Sequence, residues 1–179
     1  DIDGNVGGAK TVTVAGTPTG TYALANAADI LKLTATSDIT ATGTTAEALD
    51  LTTAGSINAS MTQAQHEAFT NGITVNAADD ILTVTTTGAV TASANVEKYV
   101  LSAAAANTIT VNAGKLDVDI DGVDAGVNTV VGAGTLTGTY ALGDDADILK
   151  LTATSNITAT GTTAEALDLT TVGSINASM

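Results

Sequence analysis

The chain has no cysteine, no tryptophan, one proline and only five basic residues among 179. Without cysteine there can be no disulfide, no thiolate nucleophile and no thiolate metal site. The lone proline, Pro18, leaves long stretches free to donate backbone hydrogen bonds. Five basic residues against 19 acidic ones give a net charge of −14. Such a chain repels phosphate backbones and anionic bilayers, which excludes nucleic-acid binding. No apolar run approaches the ~20 residues of a membrane span, so no membrane insertion is expected. Aromatic side chains are scarce: Phe69, Tyr22, Tyr99 and Tyr140.

Hydrophobic residues nevertheless make up 44% of the chain, and Ile, Leu and Val recur throughout, which argues for order. With so much Ala and Thr, the core must be thin and closely packed. The strongest signal is internal repetition. Residues 1–61 recur as 119–179, at an offset of 118. From Asp29 to Met61 the second copy differs only where Asp38 becomes Asn156 and Ala54 becomes Val172. The chain starts mid-pattern, as an excerpt of a longer tandem array would.

A shorter period runs inside the long one. Ile39, Ile57, Ile73, Val90, Ile109 and Ile157 each open a four-residue stretch reading apolar, polar, small apolar, polar. A second column, Leu33, Leu51, Phe69, Val84, Leu101, Val118, Leu136 and Leu151, steps by 15 to 18 residues. Each stretch reads as a short strand with one buried face. The fold class expected is all-β: a parallel β-solenoid of roughly 17-residue coils, with one short helix near 62–69. Residues 1–118 would be one long repeat of about seven coils, and 119–179 the first half of the next, in a continuous solenoid. Ala41, Ala59 and Ala92 suit a close approach of two sheets. TSD, TTTG and NAAD are turn signals. The helix is expected because Thr62, with Gln65 three residues on, forms a capping-box pattern. Between Gly122 and Gly143 glycine is dense and the coil phase is left unassigned.

The stretch KLDVDIDGVD offers the main chemical candidate. Asp117, Asp119 and Asp121, followed by Gly122, match the first half of an EF-hand loop. Loop position 12 is Asn128 instead of Glu, and both flanks read as strand or loop, which excludes a true EF-hand. A solvated acidic strand face is one reading. A surface calcium site built from Asp117, Asp119, Asp121 and Asp124 is the sharper one, because a cation would relieve the repulsion among these carboxylates. Asp29–Leu31, Asp80–Leu82 and Asp147–Leu149 keep the D-x-L part of the calcium-binding repeats-in-toxin nonapeptide, which they resemble, but without its glycines; a capping aspartate in a turn is the alternative.

His66 is the sole histidine, and HEAFT lacks the second ligand of a zinc motif, leaving a histidine on a surface turn. Aromatics are too thinly spread for the cleft of a polysaccharide-cleaving enzyme, and no phosphate-binding glycine loop is present. No enzymatic activity is expected. Thr40, Asn58, Thr74, Thr91 and Thr110 form one expected outward rank; Thr42, Ser60, Asn76, Ser93 and Asn112 form a second. Such ranks resemble the threonine arrays of ice-binding solenoids, although they mix three residue types.

The combination TATSDITATGTTAEALDLTTAGSINASMTQAQHEAF resembles Ala/Thr-rich β-solenoid repeats of large secreted bacterial surface proteins, through Met61, Thr62, Ala64, Gln65 and Phe69. The resemblance implies an adhesin, S-layer or filament component, extracellular or at the cell surface, and carries over no catalytic residue. The function expected is a stiff structural rod, with neighbouring repeats or identical protomers as partners, a surface or glycan as a further ligand class, and calcium as the one candidate cofactor. An ice-binding or polysaccharide-binding solenoid module is the alternative.

Overall fold

The structure, a computed structural model, describes every residue except 5, 6, 25, 27, 54, 76–79, 104, 105, 123–125, 144, 145, 159 and 171–175. The chain forms two compact units, Asp1–Thr85 and Thr86–Met179. This division is one of packing; the second copy of the sequence repeat begins inside the second unit.

In the first unit the strands are Ile2–Asp3 (β1), Thr11–Gly16 (β2), Thr21–Ala23 (β3), Ile30–Asp38 (β4), Gly43–Thr44 (β5), Ala48–Leu51 (β6), Asn58–Met61 (β7), Ile73–Val75 (β8) and Ile81–Val84 (β9), with helix α1 at Gln63–Ala68. In the second they are Gly88–Thr91 (β10), Lys98–Leu101 (β11), Asn107–Thr110 (β12), Asp119–Gly122 (β13), Asn128–Thr135 (β14), Thr139–Ala141 (β15), Ile148–Asn156 (β16), Gly161–Thr162 (β17), Ala166–Asp168 (β18) and Ala177–Ser178 (β19).

Both units are parallel β-solenoids. In the first, β1–β3–β5 form one file of strands, β2–β4–β6–β8 a second, and β4–β7–β9 a third that shares the long strand β4. In the second, β11–β13–β15–β17 and β10–β12–β14–β16–β18 stack in the same way, with β19 also on β16. The reason is the alternation read above: parallel stacking puts like residues in register. Val12 pairs with Leu31, Leu31 with Leu49 and Leu49 with Ile73. Val90 pairs with Ile109, Ile109 with Val130 and Val130 with Leu149. All of these side chains are buried. Each layer therefore seals an aliphatic file while the paired strands exchange backbone hydrogen bonds with the neighbouring coil.

Partners are about 20 residues apart, from the 18 of Ile30↔Ala48 to the 24 of Leu49↔Ile73. The step exceeds the ~17 expected, so a 118-residue repeat holds about six windings instead of seven. Burial follows the sequence columns closely: the members from Ile39 to Ile109 and from Leu33 to Leu151 are all buried. Register departs from them. Leu51 pairs with Val75, and Val84 with Met61, whereas Phe69 lies in no strand and caps the C-terminus of α1. The helix is the cause of the long step. Its residues are extra chain at a corner, held by the expected capping box: Thr62 Oγ1 accepts from Gln65 N at 3.1 Å and Gln65 Oε1 accepts from Thr62 N at 2.8 Å. The Gln65 side chain also donates to Ile39 O at 2.6 Å and Thr42 O at 2.7 Å, fastening α1 to the coil before it.

Other corners differ from expectation. Thr36–Asp38 is not a turn but the end of β4. That strand bends because Val14↔Leu33 and Gly16↔Ser37 leave two more residues on β4 than on β2, with Gly16 at φ +74 absorbing the mismatch. The second copy repeats the bulge at Gly134, φ +87. Ala41 is exposed, not packed between sheets, while Ala59 and Ala92 are buried as expected. The glycine-dense segment resolves into β13, β14 and β15. There Gly138 passes so close to the coil before it that a Cβ would stand 1.9 Å from Val118 O.

Candidate functional site

The acidic stretch is strand and turn. Val118 and Ile120 are fully buried, and the aspartates alternate with them. Their carboxylates have separate partners instead of a shared centre. Asp117 lies 3.1 Å from Lys115 Nζ, whose hydrogen bond holds its carboxyl below the usual range. Asp121 is 2.5 Å from Lys98 Nζ. Asp119 Oδ1 accepts from Thr139 N at 2.7 Å, one coil on. Asp124 lies outside the described residues. No three acidic or histidine side chains converge on a metal-sized space among the described residues.

The D-x-L aspartates are fully buried. Asp29 Oδ1 accepts from Lys10 N at 2.6 Å and Asp29 Oδ2 from Asn26 N at 2.9 Å. Asp80 Oδ1 accepts from Ile57 N at 2.8 Å, and Asp147 Oδ1 from Asn128 N at 2.6 Å. Each carboxylate reaches back one coil to a backbone N–H at a strand start. They are the capping aspartates of the alternative reading, and they tie neighbouring coils with charge-assisted bonds.

Threonines do related work that the sequence columns did not reveal. Thr45 Oγ1 donates to Leu24 O and accepts from Leu24 N, both at 2.7 Å. The equivalent Thr163 bridges Leu142 O and Leu142 N in the same way. Thr42 Oγ1 donates to Pro18 O at 2.8 Å, and its equivalent Thr160 to Leu136 O at 2.6 Å. A third device is Asx-x-Thr at strand ends. Asp38, Asp50, Asn156 and Asp168 each accept from both the amide and the hydroxyl of the threonine two residues on. At Asp168 those bonds, with Lys150 nearby, bring the carboxyl down to about 2. The clue was in the sequence, as DIT and DLT in the first copy and NIT and DLT at the same two positions of the second.

The expected threonine ranks are not single files. Thr40 is in a turn and Asn58 stacks on Ile81, so neither lies beside Thr74. The outward file through Thr74 is Thr13, Lys32, Asp50, Thr74, with Lys32 Nζ 2.6 Å from Asp50. The file through Thr91 runs Thr91, Thr110, Val131, Lys150, Asp168. Thr42 is buried, and Asn76 lies outside the described residues. Salt bridges and an aliphatic side chain interrupt what would have been a flat hydroxyl array.

His66 is buried on α1, not on the surface. Its apolar surroundings push its pKa down, against the pull of Glu67, whose Oε1 is 3.3 Å from Nδ1. Tyr140 is fully buried and its hydroxyl has no hydrogen-bond partner. Burial, with the charge of Asp119, pushes that hydroxyl up to about 12. Tyr99, by contrast, accepts from Ser93 N at 2.8 Å. No helix of the described residues is long and apolar enough to cross a membrane. No family model, no curated protein and no solved structure matches this chain.

Proposed function

We propose that the chain is a structural repeat of an extracellular bacterial surface protein, an adhesin, S-layer or filament component, whose work is mechanical continuity along a stiff rod. One observation carries this reading: polar side chains whose types suggested chemistry are spent on joining coils, identically in both copies of the repeat. Asp29 and Asp147, Thr45 and Thr163, and Thr42 and Thr160 each make the same bond to the coil before. These crosslinks add to the ladder of backbone bonds within each unit, so load on one coil passes to the next through many bonds in parallel. In this reading the chain performs no chemistry, and its partners are neighbouring repeats or identical protomers. The net charge of −14 keeps such rods apart sideways.

The test is imaging of tandem copies by atomic force microscopy, with pulling between the termini. A straight particle stiffer than a chain of loosely jointed units, yielding coil by coil, supports the reading. A flexible string, or a chain that unravels before load builds, refutes it.

A further inference from the structure

Asn71 is the only asparagine of the chain followed by glycine. In that pairing a backbone nitrogen most easily reaches the preceding side-chain amide, because glycine carries no Cβ to obstruct the approach. Asn71 is exposed, and a Cβ added at Gly72 would meet nothing within 4 Å. The pair lies between α1 and β8, where the chain turns back into the sheet.

The same two residues latch this corner to the coil before it. Asn71 N donates to Glu47 O at 2.7 Å, and Asn71 Nδ2 donates to Glu47 Oε2 at 3.0 Å. Gly72 N donates to Phe69 O at 2.9 Å, and Gly72 O accepts from Leu49 N of β6 at 3.1 Å. The attacking nitrogen is therefore occupied and the leaving amide is held. Ring closure has to wait until the latch opens.

We propose that Asn71 is a site of spontaneous deamidation, that the latch to Glu47 sets its rate, and that the reaction removes the latch irreversibly. Gly72 N gives its proton to solvent and bonds to Asn71 Cγ. The Cγ–Nδ2 bond breaks, and the amide nitrogen takes a proton from water and leaves as ammonia. A second water opens the resulting succinimide ring at either carbonyl. The product is aspartate or, where the backbone now runs through Cγ, isoaspartate. Both put a carboxylate where an amide donated to Glu47 Oε2, so attraction becomes like-charge repulsion. Isoaspartate also adds one carbon to the backbone at the corner leading into β8, which pairs with β6. No enzyme or cofactor is needed. The change limits how long this corner lasts, whatever the scaffold contacts.

The experiment is incubation of the 179-residue chain at mildly alkaline pH, folded and in concentrated urea, with peptide mass spectrometry and enzymatic isoaspartate detection to place the product. Asn71 should convert before any other asparagine, and at least about tenfold more slowly in the folded chain than in urea. Glu47→Ala should speed conversion in the folded chain several-fold. Glu47→Gln, which keeps an acceptor oxygen, should stay near wild type. Glu165→Ala, at the equivalent position of the second copy, should leave the rate unchanged. Circular dichroism confirms that the variants are folded. Asn71→Asp, which carries the product's charge, should speed amide exchange at Gly72 and Leu49. Earlier conversion of another asparagine, equal rates folded and in urea, or an Asn71 that stays intact while folded overturns the proposal. So does Glu47→Ala at the wild-type rate. If Glu47→Ala does not fold, the urea comparison and unchanged or faster exchange in Asn71→Asp decide the matter.

Discussion

Gly138→Ala tests the coil packing at its tightest point. An added Cβ would lie 1.9 Å from Val118 O and 2.8 Å from Val118 C, where ordinary contacts begin near 3.4 Å. One coil must move by more than an ångström from the other. That displacement strains Thr137 N→Leu116 O at 3.0 Å, Gly138 N→Leu116 O at 3.3 Å and Thr139 N→Asp119 Oδ1 at 2.7 Å. Losing two such bonds costs about 2 kcal/mol. Overpacking adds roughly 1–3 kcal/mol, and the reduced freedom of the unfolded chain returns about 0.4–1 kcal/mol. The expected net loss is about 3 kcal/mol, a large share of the ~5–15 kcal/mol that holds a domain folded. Gly43→Ala is the control: its nearest foreign atoms belong to the Thr21 side chain at 3.4 Å, and no backbone atom lies closer. Urea titration followed by circular dichroism, with amide exchange to locate the loosened coil, should show Gly43→Ala within about 0.5 kcal/mol of wild type. Equal effects of the two changes would refute the close approach of the coils at Val118.

Asp147→Ala leaves the buried Asn128 N–H without its acceptor, and should cost about 1.5–3 kcal/mol in the same titration; Asp147→Asn, which keeps an oxygen acceptor, should cost less. Tyr140→Phe removes a buried hydroxyl that has no partner and should be neutral or stabilising by up to about 1 kcal/mol, whereas Tyr99→Phe strips the acceptor from Ser93 N and should destabilise by a similar amount. Burial lowers the pKa of His66 in the folded state below its ordinary 6.5, so the unfolded chain takes up that proton first. Its contribution to stability is therefore complete above about pH 6.5 and declines as the pH falls towards the folded value, with a slope of at most about 1.4 kcal/mol per pH unit. His66→Gln should flatten thermal-stability curves across that window and leave them unchanged in shape above it.

Which side chains lie inside was legible from local alternation, because a strand's two faces are fixed by its own backbone. Leu33, Leu51, Ile73 and Leu101 were all assigned inward from a few neighbours each, and all are buried. Which strand sits on which was less legible. Register depends on how much chain is spent at corners, and α1 and the Gly16 bulge spend it unevenly. The error propagated to the outward ranks, where Asn58 and Thr74 were aligned although they belong to different files. The acidic stretch shows a different limit. Its alternation gave the strand, and Lys115 lies only two residues from Asp117, but nothing local reveals that Lys98 stands beside Asp121. His66 differs from the surface turn expected because it lies in α1, which Gln65 fastens to the preceding coil.

The helix occupies a corner whose two neighbouring strands keep their own partners: β7 on β9, and β8 on β6. The extra chain of α1 is therefore accommodated without either strand losing its register, so a segment of similar length that keeps the Gln65 anchor should leave both files in place.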